Sequence, residues 1–307
     1  MSKPQSSSLW HPTNALAALG ILLLKALSHL PIRWLQRIGK VVGSIAGLLF
    51  PYRRHVGLVN LRLCFPELTE KERSRLLFRH YQSMGIGIFE LAAAWYKPDE
   101  EIKQMANVSG MENLEAVVQS GRGAILLTAH FTVLEIIGRV FLTQHPISCL
   151  YRKPNQPVIA EEMTRIRHKL MDQVIHFDEM TDFLRALRKG ALIWYAPDQG
   201  KRIKYSEILP FFGEPAITNT ATGRIARMGK AAILPFNGYR LPDGTYHMEI
   251  LPELQGIPTD DPEADAVAIN KVIEGFIRRA PDQYFWLHKR FKNRGPGYPD
   301  AYAKPPR

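Results

Sequence analysis

ILLTAHFTVLEIIGR, residues 125–139, is the stretch that decides the fold of this chain. With Ala124 before it, the stretch opens in an apolar run that predicts a short buried strand, and Leu134 and Ile137 predict one side of a helix. A buried strand that leads directly into a helix is the building unit of α/β domains. Two titratable side chains, His130 and Glu135, lie at this junction with little else polar around them.

The same alternation continues toward the C-terminus. Apolar runs typical of short strands lie at 123–129, 147–151, 191–196, 231–236 and 246–251. Helical candidates lie between or after them, near 133–143, 157–170, 179–188, 218–228 and 262–279. This order predicts an α/β fold with a largely parallel central sheet flanked by helices.

The composition restricts the class of protein. A chain of 307 residues is long enough for one large core, and 40 Lys and Arg against 29 Asp and Glu give a net charge of +11. Such a charge attracts polyanions, whether nucleic acid, anionic membranes or phosphorylated substrates. The two cysteines, Cys64 and Cys149, are too few for a disulfide framework and predict buried thiols in a reducing compartment.

The N-terminal part is unusually apolar. Residues 15–30 carry few polar side chains but fall short of the roughly 20 residues of a comfortable membrane span. The next segment, up to residue 50, is again apolar, with Arg33, Arg37 and Lys40 spaced along it and Trp34 placed like an interfacial anchor. We predict N-terminal membrane-associated helices that either span or lie on the membrane. The excess of basic residues after them predicts a cytoplasmic body, and no cleavable signal is expected.

The predicted organisation has five parts. They are a flexible N-terminus at 1–13, a membrane-anchoring helical region at 14–50, a helical lead-in at 51–105, the α/β core at 106–297 and a C-terminal tail at 298–307.

His130 and Glu135 are the first candidates for chemistry. Five residues correspond to roughly 140° on a regular helix, so the two side chains meet only if His130 lies in the turn before the helix. A carboxylate bonded to one ring nitrogen makes the other a better general base. By itself the pair fits equally a satisfied histidine beside a solvated glutamate. A zinc site is disfavoured because no third ligand is evident, and no motif for a covalent nucleophile is present.

Further candidates follow the strands. Asp198 comes after an apolar strand, where α/β proteins carry functional loops, although a turn aspartate after proline is nearly as good an interpretation. Arg139, Arg152 and Arg224 lie at strand ends or on the helices after them, and a guanidinium suits phosphate or carboxylate. Each of these arginines is also interpretable as a surface charge.

Four motifs together resemble the lipid A biosynthesis acyltransferases of the lysophospholipid acyltransferase superfamily. They are RRHVGLVNLRLCFPELTEKER (53–73), HFTVLEIIGR (130–139), WYAPDQGKRIKYSEILPFFGEPAITNT (194–220) and PDQYFWLHKRFKNRGPG (281–297). The resemblance implies a glycerol-phosphate acyltransferase-like core and places His130 and Glu135 at the two ends of the superfamily's H-x4-D/E signature. Asp198 and Gln199 fall near a substrate-binding block of related enzymes, and no metal or organic cofactor is implied.

The resemblance implies a late, or secondary, acyltransferase of lipid A biosynthesis at the bacterial inner membrane. It would transfer a lauroyl- or myristoyl-type chain from an acyl carrier protein to a hydroxyl of a Kdo-lipid IVA-type precursor, with His130 as general base and Glu135 orienting its ring. Arg139, Arg152, Asp198, Gln199 and Arg224 are the expected substrate-binding residues. Acyl carrier protein, a phosphorylated glycolipid and membrane lipids are the expected partners, and nucleic acid is not. The alternatives are acylation of a lysophospholipid or ornithine lipid, or a basic membrane-bound scaffold without catalysis.

Overall fold

The computed structural model of the protein describes residues 12–151, 154–171, 173–176, 179–200, 204–295 and 297–303. Most of the predicted flexible N-terminus therefore lies outside the described residues, as do Arg152 and the last four residues of the predicted tail.

Helices fill the N-terminal third, and helices and strands alternate after it. The helices are α1 (Pro12–Leu27), α2 (Ile32–Leu49), α3 (Pro51–Cys64), α4 (Glu70–Tyr96), α5 (Asp99–Lys103), α6 (Met111–Gln119), α7 (Leu134–Leu142), α8 (Pro157–Leu170), α9 (Met180–Arg188), α10 (Ala221–Gly229) and α11 (Pro262–Arg279). The strands are β1 (Ala106–Ser109), β2 (Ala124–Leu127), β3 (Ser148–Tyr151), β4 (Gln173–His176), β5 (Leu192–Tyr195), β6 (Ser206–Phe211), β7 (Glu214–Asn219), β8 (Ala232–Arg240) and β9 (Tyr246–Ile250).

The central sheet has seven strands in the order β1-β9-β8-β2-β5-β3-β4. Every neighbouring pair is parallel except β8 and β9, which form an antiparallel pair. The interior strand β2 is fully buried because helices cover both faces of such a sheet. The predicted α/β fold with a largely parallel sheet is confirmed. The antiparallel β6–β7 hairpin forms a second, small sheet that was not predicted.

Glycines bring α2 and α4 into direct backbone contact. Gly39, Gly43 and Gly47 recur every fourth residue of α2 and face Gly85 and Tyr81 of α4. A β-carbon at Gly39 would lie 2.6 Å from Ile86 Cα, which is closer than real atoms approach. At Gly39 and Gly43 no side chain separates α2 from the α4 backbone, whereas Gly47 packs on the Tyr81 side chain.

The opposite face of α2 and much of α1 expose apolar side chains. The largest are Leu16, Leu19, Leu22, Leu23, Trp34, Val41, Val42, Ile45, Leu48 and Leu49. Among the described residues, no helix combines the length and the apolarity that crossing a bilayer requires. A transmembrane span in the predicted anchoring region is thus not supported by the described helices.

A buried ion pair joins α4 to the sheet. Arg240 Nε and Nη2 each donate to the Glu90 carboxylate at 2.6 Å, and the two side chains are 9% and 1% exposed. Gln36 of α2 donates to the Tyr246 hydroxyl of β9 at 2.9 Å in the same cluster. Because both charges are buried and paired, this cluster fixes α2 and α4 on the sheet.

Candidate active site

The site lies where two adjacent parallel strands end. β2 and β5 pair in register, with Leu127 opposite Tyr195, and Thr128 N–H donates to the Tyr195 carbonyl at 3.0 Å. His130 lies three residues after the end of β2, and Asp198 lies three residues after the end of β5. Functional loops gather at the carboxyl edge of such sheets, and here the strand order brings these two loops together.

His130 is bonded to Asp198. The imidazole Nδ1 lies 2.6 Å from Asp198 Oδ1, and the backbone N–H of His130 donates to Oδ2 at 3.2 Å. Asp198 is 1% exposed, whereas the His130 side chain is 35% exposed. One carboxylate therefore holds both the ring and the main chain of the histidine, and Nε2 is the ring nitrogen that is left for proton transfer.

The electrostatics of the pair favour a basic imidazole. Burial opposes the charged form of His130, but the charge of Asp198 and its hydrogen bond outweigh burial and raise the pKa of His130 above 6.5. Burial likewise acts to raise the pKa of Asp198, but the charge of His130 and the hydrogen bonds from His130 and Tyr284 together lower it. Asp198 thus stays ionised and His130 gains basicity.

The loop that carries His130 is held by the segment around Tyr284. Phe285 N–H donates to the His130 carbonyl at 2.9 Å, and Thr132 N–H donates to the Gln283 carbonyl at 2.8 Å. Between these bonds, Phe131 and Tyr284 form an isolated antiparallel bridge and stack their rings edge to face at 5.7 Å. The PDQYFWLHKRF motif therefore supports the histidine loop from behind.

Glu135 does not contact the imidazole, in contrast to the predicted hydrogen bond. It lies in the first turn of α7, where its carboxylate accepts from Arg167 Nη2 at 3.2 Å and from Trp95 Nε1 at 3.4 Å. The turn between Thr128 and Leu134 aims His130 toward β5, so Asp198 makes the bond that the prediction assigned to Glu135. His130 and Glu135 nevertheless line the same pocket.

This pocket is an apolar cavity of about 460 Å³ that begins at His130. Its walls come mainly from α4, α7, α8, β3 and β5, and most of the lining residues are hydrophobic. The residues are Ala94, Trp95, His130, Leu134, Glu135, Gly138, Arg139, Leu142, Cys149, Pro154, Met163, Ile166, Arg167, Leu170, Met171, Trp194, Tyr195, Ala196, Pro197, Gln199 and Asn219. A cavity of this size and lining suits an apolar ligand that is oriented by a few polar groups.

The other predicted site residues lie in different surroundings. Gln199 lines the pocket beside Asp198. Arg139 also lines it, but its guanidinium is buried and bonded to Asp99. Arg224 is exposed and lies over the Tyr205 ring at 5.1 Å, outside the pocket lining, and Arg152 falls outside the described residues.

Arg167 and Trp194 are pocket residues that no pattern in the sequence indicated as site residues. Arg167 is 32 residues away from its partner Glu135, and no local pattern links the two. Trp194 sits in an apolar strand and is indistinguishable there from a core residue. In the described part of the chain, no three histidine, cysteine or acidic side chains converge as metal ligands would.

Comparisons with known proteins agree with the resemblance. The profile of the family described as bacterial lipid A biosynthesis acyltransferase matches residues 2–293. The chain is 37% identical to the lipid A biosynthesis lauroyltransferase of Escherichia coli (strain K12), over 97% of this chain and 98% of the relative. It is 33% identical to the palmitoleoyltransferase of the same strain, over 97% of each chain, and 25% identical to its myristoyltransferase, over 97% and 93%.

Proposed function

This chain belongs to the bacterial lipid A biosynthesis acyltransferases, and from that premise we propose that it is a late acyltransferase that uses an acyl carrier protein thioester as donor. The acceptor is a hydroxyl on an acyl chain of a Kdo-lipid IVA-type precursor. The observation that carries the proposal is the His130–Asp198 pair at the start of an apolar cavity, because acyl transfer to an alcohol needs a base beside a space for the chain.

In the proposed reaction, Nε2 of His130 takes the proton of the acceptor hydroxyl while Nδ1 stays bonded to Asp198. The alkoxide oxygen attacks the thioester carbonyl and forms a tetrahedral intermediate. When the carbon–sulfur bond breaks, the imidazolium returns the proton to the departing thiolate of the carrier. Asp198 stabilises the imidazolium while His130 carries the proton, as the carboxylate of a catalytic triad does.

We assign Glu135 a different role from the one predicted. Its carboxylate holds Arg167, and both groups line the cavity that His130 opens. Glu135 neutralises much of the charge of Arg167, but it fixes the guanidinium, whose N–H groups line the cavity as hydrogen-bond donors for developing negative charge on oxygen. Loss of Glu135 would act on the rate through the position of Arg167.

The substrate-binding assignments follow the same geometry. Gln199 is retained as a substrate contact because it lines the cavity beside Asp198. Arg139 is occupied by Asp99, and we assign it to holding α5 against α7. Arg224, on the surface, and Arg152 remain candidates for the phosphates of the acceptor or for the acidic carrier protein. The net charge of +11 suits both of these anionic partners.

Membrane association is part of the proposal. The exposed apolar faces of α1 and α2 would lie in the interface of the inner membrane, and the basic residues beside them would meet anionic headgroups on the cytoplasmic side. An enzyme bound in this way reaches a glycolipid acceptor that never leaves the bilayer.

The test is acyl transfer by the purified protein in detergent micelles, with acyl carrier protein thioesters as donors. The product is read by mass spectrometry. Replacing His130 by alanine should lower the rate about 10² to 10⁴-fold, because a general base contributes this much. His168→Ala is the matched control, since His168 is exposed in the last turn of α8. Near-normal turnover of His130→Ala would refute the mechanism.

The acceptor is tested in the same assay. A panel that holds the phosphorylated glycolipid precursor, a lysophospholipid and an ornithine lipid distinguishes the acceptor classes. Transfer confined to the glycolipid supports the proposal, and preferred transfer to either of the others contradicts it.

A further inference from the structure

The cavity follows helix α7 away from His130. Leu134, Gly138 and Leu142 line it one turn after another. From the first to the last of them α7 advances by about 12 Å, at a rise of 1.5 Å per residue. The wall that α7 contributes therefore runs from the region of His130 to Leu142, and we call the part of the cavity along this wall the slot.

Trp194 occupies a notch in the wall of this slot. A β-carbon at Gly138 would lie 2.6 Å from Trp194 Cη2, so the indole packs directly on the backbone of α7. The Phe236 ring meets the indole edge to face at 5.3 Å on the other side. Trp194 Nε1 is buried without a hydrogen-bond partner in the described structure. The indole is held by packing without a hydrogen bond, and only a glycine at 138 leaves room for it to lie back in the wall of the slot.

The length of the slot corresponds to a defined chain. An extended hydrocarbon advances about 1.25 Å per bond, given a carbon–carbon length of ~1.5 Å. The stretch of α7 from Leu134 to Leu142 thus matches the length of about ten bonds. In the proposed reaction the carbonyl would lie before this stretch, beside His130. This corresponds to an acyl chain on the order of twelve carbons.

We infer that Gly138, Trp194 and Leu142 determine the donor chain length: Gly138 keeps the indole out of the slot, and Leu142 closes its far end. The inference rests on the proposed acyl transfer. The slot is assigned to the donor because it takes a single chain with its first carbon beside His130. The acceptor carries several chains that stay in the membrane.

The experiment is a competition among acyl carrier protein thioesters whose acyl chains have about 8 to 16 carbons, a range on both sides of twelve. Wild type should prefer chains of about twelve carbons. Leu142→Ala should shift the preference to longer chains. Gly138→Ala should shift it to shorter chains because the indole moves into the slot, and adding Trp194→Leu should reverse that shift.

The size of the shift is set by the selectivity of apolar pockets. One extra or missing methylene changes selectivity about 10- to 200-fold, so the ratio of long-chain to short-chain product should change at least ~10-fold in each variant. Val140→Ala is the matched control, since Val140 is a buried residue of α7 that does not line the slot. It should lower thermal stability without changing the chain preference.

The outcomes separate the two proposals. If wild type transfers no chain from any donor, the proposed function fails and the inference fails with it. If transfer occurs but all variants keep the wild-type preference, the function stands and the inference is overturned. A change in the preferred acceptor chain, with the donor preference intact, would assign the slot to the acceptor and also overturn it. Should Gly138→Ala fail to fold, Leu142→Ala decides.

Discussion

Replacing Asp198 by asparagine should show how much of the rate depends on the carboxylate that holds His130, because the histidine itself is still present. The carboxylate accepts from both Nδ1 and the backbone N–H of His130, at 2.6 and 3.2 Å. Asparagine keeps the shape but removes the charge that stabilises the imidazolium. A loss of about 10² to 10⁴ in rate is expected, equivalent to roughly 2.7 to 5.4 kcal/mol of transition-state stabilisation.

The pH profile gives a second, independent readout. His130 acts as a base only when neutral, so kcat/KM should fall as pH decreases through its raised pKa. Without the charge of Asp198, burial alone acts on the imidazole and lowers its pKa. The acid limb should therefore move to lower pH in Asp198→Asn. Burial lowers the pKa of His80 and of His288 to about 4, so neither residue accounts for a limb near neutrality.

Glu135→Gln is the matched control for this prediction. Glu135 lines the same cavity but contacts Arg167 and Trp95 instead of the ring. In the Glu135→Gln variant, the acid limb of the kcat/KM profile should therefore stay at the wild-type pH even if the rate falls. The assay is kcat/KM for acyl transfer between pH 5 and 9, a range that brackets the ordinary histidine pKa of about 6.5. A limb that shifts in Glu135→Gln and stays in Asp198→Asn would refute the pairing.

Three further predictions concern the fold and the membrane. Gly43→Ala should lower the free energy of unfolding by about 1 to 3 kcal/mol, because the new β-carbon overlaps the backbone of α4. Arg240→Met should cost about 3 to 5 kcal/mol, since it leaves the buried Glu90 charge unpaired. Membrane binding should resist concentrated salt, because apolar contacts are unscreened, and the double substitution Ile45→Asp with Leu48→Asp should abolish it.

Controls for these predictions come from the same chain. Gly275→Ala, at a helical position with open space around it, should be stabilising or neutral in the same denaturation experiment. Replacing Glu90 by leucine together with Arg240→Met should recover most of the stability, and no recovery would contradict the unpaired-charge explanation. Val118→Asp, an exposed valine on α6, should leave membrane binding intact. Release of the wild type by salt would contradict the apolar attachment.

The sequence predicted the alternating elements well where strands are interior and apolar. β2, β3, β5 and β9 lie within predicted runs, and β8 begins in one but continues to Arg240, beyond its predicted end at 236. β1 is an edge strand whose residues alternate in burial, and its sequence, ANVS, is too polar to stand out. β6 and β7 each contain a proline, Pro210 and Pro215, a residue that argues against a strand assignment.

The candidate site was predicted only in part, for a topological reason. His130 and Glu135 were paired because they are close in sequence, whereas the bond to Asp198 depends on β2 and β5 being neighbours. Hydrophobic periodicity predicts strands but not which strands become neighbours in the sheet. The same holds for the contact of Arg167 with Glu135, which depends on how α8 packs beside α7.

The backbone contact between α2 and α4 has a mechanical consequence. A layer of interdigitating side chains can absorb a displacement by changing rotamers, but glycine against backbone has no rotamers to change. α4 also touches the histidine loop, where the Ser83 hydroxyl lies 2.6 Å from that of Thr132. A displacement of α2 would thus pass through α4 to the loop. The α2–α4 pair and the histidine loop therefore behave as one stiff lever, whose two ends cannot shift independently.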